Sequence, residues 1–429
     1  MASSSEIAFS QRRHRAAAQS ISFLMEQGIL NRDVISLAAG FVDEATLPVP
    51  LVRDAIDRVL PESPSAQQVL QYTATAGDLE LRGLLLEHLA RLEGTDVESL
   101  GVDADNIVVT AGSQQLLQHV ADVTLDPGDI CLVAGPTYFV FLGTLNAVGA
   151  ETIAVQTDEH GMCMDSLEAT LGRIEADGKL DRVKLIYLVS WFENPSSLTL
   201  SLERRHQVLE IAERWSKHHR ILILEDTAYR ELAYDGEHLP SVWMSDTNRE
   251  RVILGQTFSK SFSPGLRVGY GVLPTDFVKA ILDVKGNLDF GSAHLNQKIL
   301  SDVLKSGAYE EHVASLCQSY GVKRDAMIAA AKRYFADIPG ASWHDPHGGL
   351  YVWMTLPESV PTGFNSPLFE RAVKTDGGVM YVPGEVCYPD ESDIRQLNQM
   401  RLSFGVESPE TIDEGMRRLA NAVRWCLDQ

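Results

Sequence analysis

The stretch Gln256-Thr257-Phe258-Ser259-Lys260-Ser261-Phe262-Ser263-Pro264-Gly265-Leu266-Arg267-Val268-Gly269-Tyr270 follows one predicted strand and leads into another. It brings an amine, several hydroxyls and a guanidinium close together. A lysine held among dehydrating apolar neighbours and beside a second cation loses basicity, which makes its amine a better nucleophile toward an aldehyde. Arg267 can clamp a phosphate bidentately, and Thr257 and Ser259 offer hydroxyl donors. An isolated Ser-Lys pair would read as an ordinary surface loop; the whole run reads as a site.

Working outward, residues 107–272 alternate short β-branched apolar runs with longer helix-like stretches, the pattern of strands buried in an α/β sheet. Seven runs qualify: 107–110, 130–134, 152–155, 185–189, 221–225, 252–256 and 268–272. A largely parallel seven-stranded sheet with helices on both faces follows. One of those helices spans 202–218, with Val208, Leu209, Ile211, Ala212 and Trp215 on one stripe. Upstream, Pro50 opens a helix carrying Leu51, Val52, Ala55, Ile56 and Val59, and another begins near Asp78. After about Tyr309 a long helical stretch runs to Pro339-Gly340. Short strands at 351–356, 379–382 and 400–404 come next, then a last helix with Ser408 as N-cap, Pro409 first and Glu410 just inside. The expected organisation is an N-terminal arm and part of a small domain (1–48), a large domain (49–308) and a C-terminal α+β domain (309–429).

Composition narrows the partners. At 45% hydrophobic and 22% charged residues the chain is an ordinary globular one, without long disordered tracts. Its formal charge of -22 repels a phosphate backbone, which disfavours nucleic acid. The basic cluster Arg12, Arg13, His14 and Arg15 reads as a solvated arm. Cys131, Cys163, Cys317, Cys387 and Cys426 are scattered and form no C-x-x-C pair, so neither a disulfide framework nor a metal site is expected. The first ten residues lack the apolar run of a secretory signal, and no segment approaches the roughly 20 apolar residues that span a bilayer. A cytoplasmic location is the default.

The pattern S-K-x-x-x-P-G-L-R-x-G over residues 259–269 closely resembles the cofactor-lysine signature of the class I/II aminotransferases, the fold-type-I pyridoxal-phosphate enzymes. The resemblance runs from about Ile35 to near the C-terminus. It implies pyridoxal 5′-phosphate as cofactor, carried by Lys260, with Thr257, Ser259 and Arg267 near its phosphate. Thr110-Ala111-Gly112-Ser113-Gln114-Gln115 is a small-residue turn at a strand end that opens a helix, and helix N-termini bind phosphate; by resemblance Gly112, Ser113 and Gln114 hold the cofactor phosphate. Tyr138 matches the aromatic residue stacked on the pyridine ring. Asp226, at the carboxyl edge of a predicted strand, matches the carboxylate that keeps the ring nitrogen protonated. Tyr229 and Asn194 match the partners of the phenolic oxygen. Arg401 resembles the arginine that forks onto the substrate α-carboxylate, and Gly40 the loop glycine beside the substrate. Tyr72 resembles the tyrosine that reaches the neighbouring subunit's phosphate, which implies a homodimer with shared sites.

The implied reaction moves an amino group from an L-amino acid to a 2-oxo acid by a ping-pong mechanism, Lys260 serving as general base. Two other readings stay open at this point: β-elimination from a cysteine conjugate, and a non-catalytic ligand-binding module of the kind fused to DNA-binding domains, although the resemblance begins too near the N-terminus for a preceding helix-turn-helix. The general layout looks like the aminoadipate, aromatic and multi-substrate branch. Ile21, Phe23, Leu24 and Met25 sit where that branch closes over the substrate, so an apolar or aromatic side chain is favoured. One segment departs from the family: Trp191-Phe192-Glu193-Asn194-Pro195-Ser196-Ser197 has Glu193 in place of a glutamine and Ser197 in place of a turn glycine. A charge and an altered local backbone are expected there.

Overall fold

The computed structural model describes residues 7–16, 34–64, 66–373 and 378–429; Ile21, Phe23, Leu24 and Met25 lie outside them. The large sheet runs, from one edge to the other, Ile107–Thr110, Gly269–Val272, Val252–Thr257, Leu222–Asp226, Val183–Val189, Ile130–Gly135, Glu151–Asp158 and Gly161–Met162. All seven expected runs are strands. The eighth, Gly161–Met162, was not expected: it is a two-residue return antiparallel to Glu151–Asp158, too short to leave a periodic signal. Among the first seven, only Gly269–Val272 runs against the others.

Successive side chains of a strand face opposite ways, and here both faces are covered. Ile107 and Val109 join one apolar cluster while Val108 joins the other, and Ile186 and Leu188 divide from Leu185 and Tyr187 in the same way. This two-sided burial is why the runs read as continuously apolar. The helix Leu202–Trp215 buries Val208, Ile211 and Ala212 on one of these faces. It stops three residues before the expected end because the Ser216 hydroxyl donates to the Ala212 carbonyl and accepts from the Ile221 N–H, turning the chain into the next strand. Asp78 caps Leu79–Glu93, its carboxylate accepting from the Leu81 N–H at 3.1 Å. The basic cluster forms the short helix Gln11–Arg15, in which Arg12 pairs with Asp122 and Arg15 donates to the carbonyls of Ala147 and Val148.

A separate core surrounds a four-stranded antiparallel sheet ordered Ser342–Trp343, Tyr351–Thr355, Gln399–Ser403, Val382–Pro383. The helices Ala308–Phe335 and Pro409–Leu427 pack on it. The strand expected at 379–382 is two pieces, since Val379–Met380 leaves to pair in parallel with Ile35–Ser36. That pairing brings the N-terminal segment, with buried Leu37 and Ala38, into this second core. No described helix is long and apolar enough to cross a membrane.

Ser408 caps the last helix as expected, its hydroxyl oxygen accepting from the Thr411 N–H at 3.2 Å. Ser408→Ala should cost this end of the helix about 1 kcal/mol, read as roughly fivefold faster amide exchange at Thr411.

Candidate functional site

Open α/β sheets bind ligands beyond the carboxyl ends of their strands. Here those ends deliver Thr110, Val189, Asp226 and Thr257 to one region, and the second domain closes it from above with Tyr351 and Arg401. The result is a cavity of about 290 Å³. It gathers twelve of the residues singled out in the sequence: Gly40, Ser113, Gln114, Tyr138, Asn194, Asp226, Tyr229, Thr257, Ser259, Lys260, Arg267 and Arg401. Gly112 sits directly behind Arg267.

At one end of the cavity the helix Ser113–Thr124 begins at Gly112, which has φ 78° and no capping side chain, so the first N–H groups of the helix face outward. The Arg267 guanidinium crosses this turn, donating to the Ala111 carbonyl at 2.8 Å and to the Ser259 hydroxyl at 3.5 Å. Gly112 is favoured by its left-handed backbone and Gly269 by lack of space. A Cβ on Gly112 would lie 2.7 Å from Arg267 Nη2, and one on Gly269 would lie 2.7 Å from the Ser113 nitrogen. Helix N–H groups, a guanidinium and the Ser259 hydroxyl together form a donor set suited to a phosphate.

Beyond it, the Lys260 amine donates to the Gly40 carbonyl at 2.6 Å. Shelter from water lowers its basicity, opposed by the Tyr351 phenol and reinforced by Arg401 and Arg267. Asp226 closes its strand and is buried; one carboxylate oxygen accepts from the Ala228 N–H at 3.1 Å and the other from the Tyr187 hydroxyl at 3.0 Å. Burial outweighs those two hydrogen bonds and pushes the Asp226 carboxyl up to about 6, so a cation placed beside it would be held strongly. The Tyr229 hydroxyl lies 2.9 Å from that of Tyr351.

Arg401 lies deep at the other end of the cavity. It is 1% exposed, on the central strand Gln399–Ser403, where it faces Trp353 and Val382 across the sheet. Its guanidinium donates to the Asn194 side-chain oxygen and to the Ala38 carbonyl, both at 2.8 Å, and lies 4.3 Å from the centre of the Tyr351 ring. Its Nε has no partner.

The segment 191–197 keeps its turn despite Ser197. That serine adopts φ 57°, the left-handed conformation a glycine takes freely. Its hydroxyl donates to the Tyr351 carbonyl at 2.6 Å and its N–H to the Glu193 carbonyl at 2.6 Å, which offsets the strain. Tyr72 lies outside the cavity, 76% exposed, with its ring edge-on to the also exposed Phe290.

Three contributors went unnoticed in the sequence: Tyr351, Phe139 and Tyr187. Tyr187 left a trace, a lone hydroxyl inside an apolar strand run. Tyr351 follows Gly348-Gly349, and a Cβ on Gly348 would strike Phe192 at 2.4 Å, so that glycine pair marked a close approach to the site.

The family model for aminotransferase class I and II matches residues 32–419. The chain belongs to that family. This aminotransferase is 35% identical to aromatic-amino-acid aminotransferase 1 of Thermococcus litoralis, over 91% of this chain and 88% of that protein. Its fold matches the multiple substrate aminotransferase of Thermococcus profundus with TM-score 0.88 and 34% identity, covering 98% of each chain. The kynurenine aminotransferase of Pyrococcus horikoshii, solved in complex with PMP, gives TM-score 0.87 and 32% identity over 97% of each chain. The protein is a pyridoxal-phosphate-dependent enzyme that transfers an amino group from an amino acid to a 2-oxo acid. The phosphate cradle, the sheltered amine and the buried carboxylate suit that cofactor.

Because the space beside Gly269 is filled by backbone, Gly269→Ala must push the Gly112–Ser113 turn away from the sheet. Titration of cofactor-free protein with pyridoxal phosphate, followed by visible absorbance, should show affinity weakened about tenfold or more, a loss of at least about 1.4 kcal/mol.

Proposed function

We propose that Lys260 carries the cofactor and acts as the general base of transamination, that Arg401 receives the substrate α-carboxylate, and that the preferred amino donor has an apolar or aromatic side chain. The carrying observation is the charge inventory of the cavity. Among the described residues that line it, the only cations are Lys260, Arg267 and Arg401. Lys260 and Arg267 are committed to the cofactor, and Arg401 to the carboxylate every amino acid has. Among the described residues of one chain nothing cationic is left in the cavity for a second carboxylate, while Phe41, Phe139 and Val140 supply apolar surface. The likeness to an aromatic-amino-acid aminotransferase supports the same reading.

In this arrangement Gly112, Ser113, Gln114, Thr257, Ser259 and Arg267 would hold the cofactor phosphate, Tyr138 would cover the ring, and Asp226 would pair with its nitrogen. Asn194 and Tyr229 would face its phenolic oxygen. When bound, pyridoxal phosphate supplies an aldehyde for the amine and a ring that accepts electrons. Arg401 offers a planar fork that orients the amino acid. Lys260 would be the one amine among the described lining residues able to take the α-proton, and its lowered basicity would suit both taking and returning it. With one cavity to serve both the amino acid and the 2-oxo acid, ping-pong kinetics would be the expected form.

Lys260→Ala should lose the visible absorbance of lysine-bound cofactor and all half-reaction. In a donor panel read by the loss of that absorbance, phenylalanine or leucine should react about tenfold or more faster than aspartate, a difference of about 1.4 kcal/mol in the barrier. Equal or faster reaction with aspartate would reject the substrate class, and absorbance surviving in Lys260→Ala would reject the site.

We also propose a homodimer in which Tyr72 reaches the partner's phosphate. Tyr72, Phe290, Leu70 and Leu288 are each more than 60% exposed. His294 beside the Gln71 carbonyl and Asn296 bonded to the Leu266 carbonyl link this surface to the loop of Arg267. Light scattering should give twice the chain mass, and Tyr72→Phe should weaken cofactor binding by about 1 kcal/mol, roughly fivefold.

A further inference from the structure

Glu193 stands where the resembled family has a neutral amide, and its setting is unusual for a carboxyl. It is 3% exposed. One oxygen accepts from the Thr137 hydroxyl and the other from the Ser196 hydroxyl, both at 3.2 Å. Thr137 immediately precedes Tyr138 and donates its N–H to the Cys387 carbonyl of the second domain at 2.8 Å. Asn194 immediately follows Glu193 and accepts from Arg401. A single side chain therefore ties together the two segments that present Tyr138 and Asn194 to the cavity.

Apart from those two hydroxyls, nothing around this carboxyl among the described residues favours a charge. The titratable groups facing it are Tyr187 from the strand Val183–Val189 and Cys387 and Tyr388 from the second domain, each made harder to ionise chiefly by burial, with Arg401 working the other way on Cys387. The remaining wall is apolar, with Ala134, Met162, Leu188 and Leu200. Glu193 makes no ion pair among the described residues. An anion without a cation or backbone donor in such a place is costly. Burial accordingly pushes the carboxyl up to about 8, against the two hydroxyl hydrogen bonds. As a neutral acid Glu193 can donate to one hydroxyl and accept from the other, as an amide would, because either hydroxyl can reverse.

We propose that Glu193 is a positioning residue that works as a neutral carboxylic acid, holding Tyr138 and Asn194 in place through Thr137 and Ser196, and that loss of its proton to solvent loosens both and limits transamination at alkaline pH. The coupling to activity rests on the roles given above to Tyr138 and Asn194; the protonation does not.

The test compares wild type with Glu193→Gln and Glu193→Ala. The infrared difference spectrum of wild type minus Glu193→Gln, recorded with and without cofactor, should contain the carbonyl band of a protonated carboxylic acid at pH 7 that fades around pH 8. A carboxylate band already present at pH 6 overturns the proposal. Between pH 7 and pH 9 the wild-type kcat/KM should fall about tenfold more than that of Glu193→Gln, the ratio expected one unit above such a pKa. An identical fall in both overturns the positioning claim and leaves the assignment of Lys260 to its own test. Glu193→Ala should lower kcat/KM at pH 7 and Glu193→Gln should restore it. Stability gives an independent reading, since the folded state keeps this proton to higher pH than the unfolded chain. The contribution is full below the ordinary value of 4.5 and is lost as pH rises toward 8. The melting temperature of wild type should therefore drop relative to Glu193→Gln across that window, and a constant difference overturns the proposal.

Discussion

A guanidinium buried without a carboxylate is the constraint around which the two domains are arranged. Removing a cation from water costs several kcal/mol unless hydrogen bonds and an opposite charge compensate. Arg401 makes no ion pair among the described residues and relies on an amide oxygen, a backbone carbonyl and the Tyr351 ring. Those partners come from three places: Asn194 from the large domain, Ala38 from the N-terminal segment and Tyr351 from the neighbouring strand. The cost of burying Arg401 is thus spread over the junction, and an anionic group entering the cavity would find a cation already oriented and desolvated.

The same junction explains the chemistry of Lys260. Its amine meets the Gly40 carbonyl of the N-terminal segment, which belongs to the second core through the pairing of Ile35–Ser36 with Val379–Met380. Sheltering that amine needs the second domain to be in place. A chain folded only in its large sheet would leave Lys260 more hydrated and closer to ordinary basicity, so the domain arrangement sets the reactivity of the lysine as well as the shape of the cavity.

How much of this was legible in the sequence follows from how local each signal is. Most of the seven main strands could be read because they are buried on both faces, Glu151–Asp158 being only half-buried, and Ser408 and Asp78 could be read because an N-cap acts within three residues. Lys260, Arg267 and the Gly112 turn were legible as a motif, since a positive φ at 112 and close backbone approach at 269 admit few alternatives to glycine. Gly161–Met162 was not, because two residues carry no period, and neither was the division of 379–382, which depends on a partner strand more than 340 residues earlier. Tyr351 and Phe139 enter the site only through tertiary packing. Tyr72 lay within the family pattern, yet its place is intelligible only as a surface residue.

The segment 191–197 shows how a departure from a motif can be absorbed. A serine in the left-handed region costs roughly 1–2 kcal/mol relative to glycine, and one well-placed hydrogen bond returns about 1 kcal/mol. The Ser197 hydroxyl finds that bond at the carbonyl of Tyr351, the residue whose ring lies against Arg401 and whose hydroxyl meets Tyr229. Restoring the glycine would remove both the strain and the tie, leaving stability little changed. The tie nevertheless has a consequence the glycine lacks: it fixes the turn carrying Asn194 to a strand of the second domain. Asn194 then follows any movement of Tyr351–Thr355, and the position of the amide that receives Arg401 is set from both domains at once.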